Sequence, residues 1–412
     1  MAIEPDEALP AASADPDTAG PRRRSELDLT KGNVGPVWRQ YLRAMGPGLV
    51  TGASDDDPSG IATYSQAGAQ YGLAFLWTAL LTLPLMAAVQ EICDRTALAT
   101  GTGLGELAVR HFRRAGRAVL AVLLVALIVL SPMASTSPRS CLVAVLVTQQ
   151  WGAVLSHTLV PHIELTRAYL ALLVAVLGTT ISPYLFFWQS AHRLEEMRDE
   201  PEGGARAQPL RRQSPDRARR KQSTSRLDVF TGMTFSNLVM FAIIVATAQT
   251  LHAHGKTRIQ SAAQAAEALQ PFAGHFASAL FALGFVGSGL LAIPVLAGAG
   301  SVGMAGLLGK QWGFERSVRK APVFYGLVAV GTLGGSALSL LHVNPISLLV
   351  LVAVINGVAA APFLVVVMRV SSSRRIMGDY VNGNAAKIFG WLTAALMAAA
   401  AIALFATGGV SI

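Results

Sequence analysis

The sequence predicts an all-α integral membrane protein of about nine crossings, divided by a basic cytoplasmic loop. Three observations predict it. Only 14% of the 412 residues are charged and 52% are hydrophobic, whereas soluble chains carry roughly a quarter charged residues. Apolar segments recur at 46–70, 73–93, 117–150, 169–190, 228–251, 275–304, 322–341, 345–368 and 388–409, and about 20 such residues cross a hydrocarbon core. Finally, 29 of the 33 Lys and Arg fall in 1–45, 94–117, 191–227, 305–321 and 369–387, the alternation that the positive-inside rule gives to cytoplasmic segments.

Residues 1–45 open the chain as an acidic, Pro/Ala-rich and then basic stretch without a signal-peptide pattern. They are expected to be a disordered cytoplasmic tail. Segment 46–190 is the first membrane part. Within it, 117–150 is awkward, because "RAVLAVLLVALIVL" and "SCLVAVLVTQQW" are each too short to span and are separated by "SPMASTSPR". Counting the stretch as one crossing keeps the ten basic residues of 191–227 on the cytoplasmic side. That choice puts the N-terminus inside and the C-terminus outside. Residues 191–227, rich in Arg, Ser, Pro and Gly, read as a flexible basic cytoplasmic loop, and 228–412 is the second membrane part. Residues 259–272 are expected to form a short surface helix outside.

The net charge of +9 follows from this topology, so no nucleic-acid partner is expected; the lipid bilayer is. Cys93 and Cys141 have no paired spacing and imply neither a disulfide framework nor a zinc site.

Two segments carry chemistry. In the first, Asp55, Asp56 and Asp57 are followed by Pro58 and Gly60, and each ionised carboxylate at bilayer depth costs at least about 2.5–3.5 kcal/mol. Asp followed by Pro is a helix start. A start halfway across a membrane means a discontinuous helix, tolerated only where the freed backbone is buried or lines a wet cavity. An extramembrane loop is the alternative. In 169–190, Pro183 follows Thr179, Thr180 and Ser182, which is either a kink with hydroxyl back-bonding or a second break. With nine crossings these two segments run in opposite directions, as an inverted repeat requires, and paired breaks point to an ion site.

The stretch "GPGLVTGASDDDPSGIATYSQAGA" (46–69) resembles the first helix of the Nramp metal-ion transporters, whose motif there is Asp-Pro-Gly-Asn. "GTTISPYLFFWQS" (178–190) is similar to their sixth helix, with its Met-Pro-His. "INGVAAAP" (355–362) and "RRIMGDYVNG" (374–383) resemble the Nramp-related magnesium transporter branch. The resemblance covers about 40–110 and 155–410. It implies a LeuT-like inverted-repeat transporter fold with discontinuous helices one and six. It also implies a carrier of divalent cations rather than an enzyme, with no resident cofactor.

Carried over by position, Asp57 matches the metal-binding aspartate. Gly60 stands where other Nramps have the ligand asparagine, and Ser182 where they have methionine. Ser54 and Thr179 fall where backbone carbonyls face the ion. Asp55 and Asp56 are weaker metal candidates that act through water or by attraction. Tyr184 and Gln189 take the positions of two helix-six histidines, and Asn356 is a pathway candidate or a helix-packing residue. Exchange of a thioether for hydroxyl oxygen hardens the site, which favours magnesium, calcium or manganese over iron, copper or zinc. A roomier site suits magnesium, which keeps several waters. Without the histidines, and with no Asp or Glu between Glu106 and Glu164, uptake is expected to be uncoupled from protons.

The family's usual form has eleven crossings, so 117–150 is short by two. A proton-coupled manganese or iron importer, a transport-incompetent or sensing relative, and an Asp-rich membrane prenyltransferase-type enzyme are the competing readings. The last needs a second acidic cluster; Asp199, Asp216, Asp228 and Asp379 read as isolated residues in or beside loops. His157, His162, His252 and His254 read as exposed outer-face residues.

Overall fold

In a computed structural model, the described residues are 47–112, 151–200, 207–259, 277–340 and 345–408, with isolated positions in 117–125 and Gln264 and Gly274. The tail 1–45 and nearly all of 117–150 lie outside them, as does the expected surface helix at 259–272 apart from Ile259 and Gln264. Every regular element among the described residues is a helix. We number the α-helices of eight or more residues α1 (Pro47–Asp55), α2 (Pro58–Tyr71), α3 (Leu76–Thr100), α4 (Leu104–His111), α5 (Trp151–Leu159), α6 (Arg167–Thr180), α7 (Pro183–Asp199), α8 (Pro215–Thr250), α9 (Ala277–Leu307), α10 (Pro322–Leu340), α11 (Pro345–Ser371) and α12 (Asn384–Ala406).

Five stretches among the described residues are long and apolar enough to cross a membrane: Pro58–Thr100, Arg167–Asp199, Pro215–His254, Ile346–Ser371 and Asn384–Ala406. The first has 43 residues, and as a straight helix it would be about 65 Å long, twice the hydrocarbon thickness. It is two elements: Gly72, at φ 58°, ends α2, and a 3-10 turn over Gly72–Phe75 leads into α3. Gly101, at φ 63°, closes α3 in the left-handed conformation that glycine adopts without a steric penalty.

Both interruptions expected from sequence are present. α1 stops at Asp55, and Asp57 caps α2 from an extended conformation (φ −71°, ψ 172°) with Pro58 in its first turn. α6 stops at Thr180, and Ser182 (φ −83°, ψ 131°) precedes Pro183 in the first turn of α7. Proline lacks the N–H and disfavours helical backbone in the residue before it, so neither helix continues through.

Glycine sets how closely the helices approach. A Cβ on Gly52 would stand 2.2 Å from the Gly232 carbonyl oxygen, and one on Gly48 2.5 Å from the Val229 nitrogen. α1 therefore lies directly on α8, with small residues four apart at the seam. A Cβ on Gly178 of α6 would lie 2.3 Å from the Ala353 oxygen and the Gly357 nitrogen of α11. The largest fully buried side chains, among them Tyr64, Phe75, Tyr169, Tyr184, Phe186 and Phe363, fill the centre. α12 instead presents Ile388, Trp391, Leu392, Ile402 and Phe405 outward.

Helix extends further into 191–227 than the composition suggests. Residues 191–199 complete α7, and α8 begins at Pro215 behind Ser214, with Asp216 in its first turn. Those are ordinary start signals, and they outweigh the Arg/Ser-rich character. Residues 207–214 form the described part of the connection, with one 3-10 turn at Leu210–Arg212.

Candidate metal site at the paired helix breaks

The site is built from the ends of four half-helices. At the first break, Asp57 Oδ1 accepts from the Gly60 amide at 2.8 Å and from Ser59 Oγ at 2.7 Å. The amide is one of the orphan donors of a helix N-terminus, where a carboxylate is favoured. At the second break the Ser182 hydroxyl turns back to the Gly178 and Thr179 carbonyls of α6, at 2.8 and 2.5 Å.

Three contacts join the two breaks. Tyr184 OH donates to Asp57 Oδ2 at 2.9 Å, Ser59 Oγ and Thr179 Oγ1 lie 3.2 Å apart, and Tyr64 OH and Thr180 Oγ1 lie 3.1 Å apart. Gly60 sits among the same groups. A Cβ there would lie 3.3 Å from the Asp55 carbonyl oxygen, from Thr179 Oγ1 and from the Tyr64 ring. Any side chain at this position would thus crowd the groups between the breaks, which glycine avoids. The carbonyl ends of α1 and α6, which carry partial negative charge, also meet here.

The three aspartates divide their directions. All are buried, Asp55 fully. Asp57 faces Tyr184, whereas Asp55 Oδ2 and Asp56 Oδ1 turn to Ser236 Oγ of α8, at 2.6 and 3.3 Å. Among the described residues Asp55 Oδ1 has no hydrogen-bond partner, and neither Asp55 nor Asp57 pairs with a Lys or Arg. With Asp55 and Asp57 both ionised, a positive charge from outside the described side chains is therefore needed at this depth.

Of the residues named from sequence, the structure brings Asp57, Gly60, Thr179 and Tyr184 together, with the Ser182 hydroxyl held by α6. Ser54 Oγ bonds back to the Val50 carbonyl at 2.7 Å. Gln189 lies deeper: it accepts from Thr51 Oγ1 at 2.5 Å and donates to Asp94 Oδ1 at 2.8 Å. Asn356 is buried on α11, beside the Gly178–Gly357 contact. Sequence reasoning named the Thr180 hydroxyl beside the second break but missed Ser59, Ser236 and Tyr64. Ser59 was legible, as the residue inside the Pro58–Gly60 turn; Ser236 was not, because nothing in α8 marks which face meets α1. It also missed Met240, whose Sδ lies 3.8 Å from Thr180 Oγ1.

Asp228 requires a correction. It is not an isolated residue beside a loop: it is 3% exposed, it accepts from the Gly48 amide at 2.7 Å, and it lies 3.4 Å from Arg193 Nη2. A buried carboxylate needs such partners, and they come from helices far away in sequence.

Among the described residues, no three of His, Cys, Asp and Glu gather as a metal-ligand cluster. A cation between the breaks would meet one carboxylate, hydroxyls and carbonyls, a hard all-oxygen set. That chemistry favours small divalent cations that keep part of their hydration.

Comparison with known proteins bears on the family and the fold. A family model described as "Natural resistance-associated macrophage protein-like" matches residues 48–137 and 141–407, the match breaking inside the short 117–150 stretch. The chain is 24% identical over 409 residues to a "Divalent metal cation transporter MntH" of Klebsiella pneumoniae (strain 342), covering 86% of this chain and 92% of the relative. It is 25% identical over 427 residues to a protein of the same description from Verminephrobacter eiseniae (strain EF01-2), covering 89% and 90%. Among solved structures, the Eremococcus coleocola manganese transporter in complex with an aromatic bis-isothiourea substituted compound superimposes with a TM-score of 0.64. The identity is 14%, over 92% of this chain and 89% of that one, so the likeness is one of fold.

Proposed function

The chain belongs to the Nramp family, and on that premise we propose that it carries divalent metal cations across a membrane by alternating access. Magnesium is the substrate this reading favours, taken up without proton coupling into a compartment that holds the basic loops and the N-terminus. The observation that carries the proposal is the meeting of the two helix breaks, with Asp57 held by Tyr184 and Ser59 beside Thr179.

Each residue then has a task. Asp57 supplies the charge that replaces part of the ion's hydration. Gly60 leaves room for the water that remains, and the Asp55 and Thr179 backbones offer carbonyl dipoles. Tyr184 and Ser59 hold the carboxylate in one orientation when the ion is absent. Asp55 and Asp56, turned to Ser236, add attraction from the side.

Manganese is the second reading. The relatives described as manganese or divalent metal transporters support it, and so does Met240 Sδ, one residue's reach from Thr179 by way of Thr180. A thioether softens a site toward transition metals. The hydroxyl at Ser182 weighs against it.

The test is magnesium entry into proteoliposomes with an entrapped magnesium indicator and an imposed inside-negative potential. Saturable entry that competing manganese inhibits only weakly, and that Asp57→Ala abolishes, is the expected result. Entry unchanged in Asp57→Ala would overturn the site. No entry of either ion through folded protein would overturn the transport reading.

A further inference from the structure

Below the candidate site lies a second polar cluster that the transport reading leaves unused. Arg193 of α7 is only 8% exposed. Its Nε donates to Asp94 Oδ1 of α3 at 2.8 Å, its Nη2 lies 3.4 Å from Asp228 Oδ2 of α8, and its Nη1 pairs with Glu196. Asp94 is fully buried and also accepts from Gln189 Nε2 at 2.8 Å and from Ser225 Oγ.

Two bonds run from this cluster to α1. The Gly48 amide, an orphan donor in the first turn of α1, donates to Asp228 Oδ2 at 2.7 Å. Asp228 therefore caps α1 from a helix 180 positions away. Thr51 Oγ1 donates to Gln189 Oε1 at 2.5 Å. One bond falls in the first turn of α1, away from the break, and the other at its middle residue. At its other end α1 stops at Asp55, and the hydrogen bonds of α2 begin only with Asp57. α1 is thus a nine-residue rod, interrupted at one end and held by polar bonds at its other end and middle.

We infer that Asp94, Arg193 and Asp228, acting through Gln189 and Thr51, form a clamp that holds α1 shut beneath the metal site. They are positioning residues: none touches the cation, and release to the cytoplasmic side requires the clamp to part. Hydrogen bonds suit this task better than apolar packing, because water entering the opening can replace them one for one. The inference rests on the transport reading for its purpose and on geometry alone for its mechanics.

The test reads the mechanics without transport. In a chain with Cys93→Ala and Cys141→Ala, Val50→Cys on α1 reports exposure by its alkylation rate with a membrane-impermeant maleimide, in lipid nanodiscs open to reagent on both faces. Two variants release α1 in different ways. Asp228→Asn removes the charge that faces Arg193 and Gly48, and Thr51→Val removes the bond to Gln189 while leaving every charged group paired. Both are expected to raise the alkylation rate at least threefold, with thermal unfolding of Thr51→Val close to that of the parent. Unchanged rates in both would overturn the clamp. So would a rise confined to Asp228→Asn with a lowered unfolding temperature, since that is loss of packing. Because no cation is present, a failed clamp and a failed transport assignment give different results.

Discussion

At the scale of single residues, the candidate site is a carboxylate held by donors. Asp57 takes bonds from Gly60, Ser59 and Tyr184, and a hydrogen bond to a charged group is worth about 1.5–3 kcal/mol. Tyr184→Phe removes one of these and leaves the ring in its buried place. The expected result is a roughly tenfold or greater change in the magnesium concentration for half-maximal entry, with the fold intact by circular dichroism; an unchanged value would remove Tyr184 from the site. Asp57 and Pro58 were legible in the sequence, because an aspartate before a proline starts a helix whatever surrounds it. The division of labour among the three aspartates was not. It depends on Ser236, which lies 180 positions from Asp56 and is brought there by tertiary packing alone.

At the scale of elements, the half-helices owe their placement to glycines as much as to prolines. Gly52→Ala would drive a Cβ to 2.2 Å from a backbone oxygen, and Gly178→Ala to 2.3 Å. Backbone cannot turn aside as a side-chain tip does, so each substitution is expected to cost about 1–3 kcal/mol or more. Gly152→Ala is the control, with nothing within 4 Å of its Cβ. Thermal unfolding in detergent should show a lowered midpoint for the first two and none for the third. The breaks in α1–α2 and α6–α7 were readable from Asp57–Pro58 and Ser182–Pro183. The start of α8 was not read, although Ser214, Pro215 and Asp216 spell it, because the Arg-rich composition of that stretch suggested a loop. The clamp was out of reach: Asp94, Arg193 and Asp228 come from three helices, and no local pattern ties them together.

At the scale of the whole molecule, the charge asymmetry and the two breaks support one proposal for how the work is driven. A divalent ion crossing 100 mV gains about 4.6 kcal/mol, at ~2.3 kcal/mol per charge, which sustains a gradient of roughly a thousandfold or more without a second ion. Entry into proteoliposomes is therefore expected to rise steeply with inside-negative potential and to leave an entrapped pH indicator unmoved. Acidification in step with metal entry would contradict uncoupled uptake. The general architecture was legible because apolar length and basic loops are properties of the chain itself. Which helices touch was not, since the seams are made by residues with no side chain to leave a signal.

Those seams bear on inheritance. At Gly48, Gly52, Gly178 and Gly357 the neighbouring backbone already stands where a side chain would begin. Every missense change at these four codons adds at least one carbon, and none has anywhere to put it. Alleles that persist in a population should differ there only by silent substitutions, while the lipid-facing codons of α12 drift freely among apolar residues.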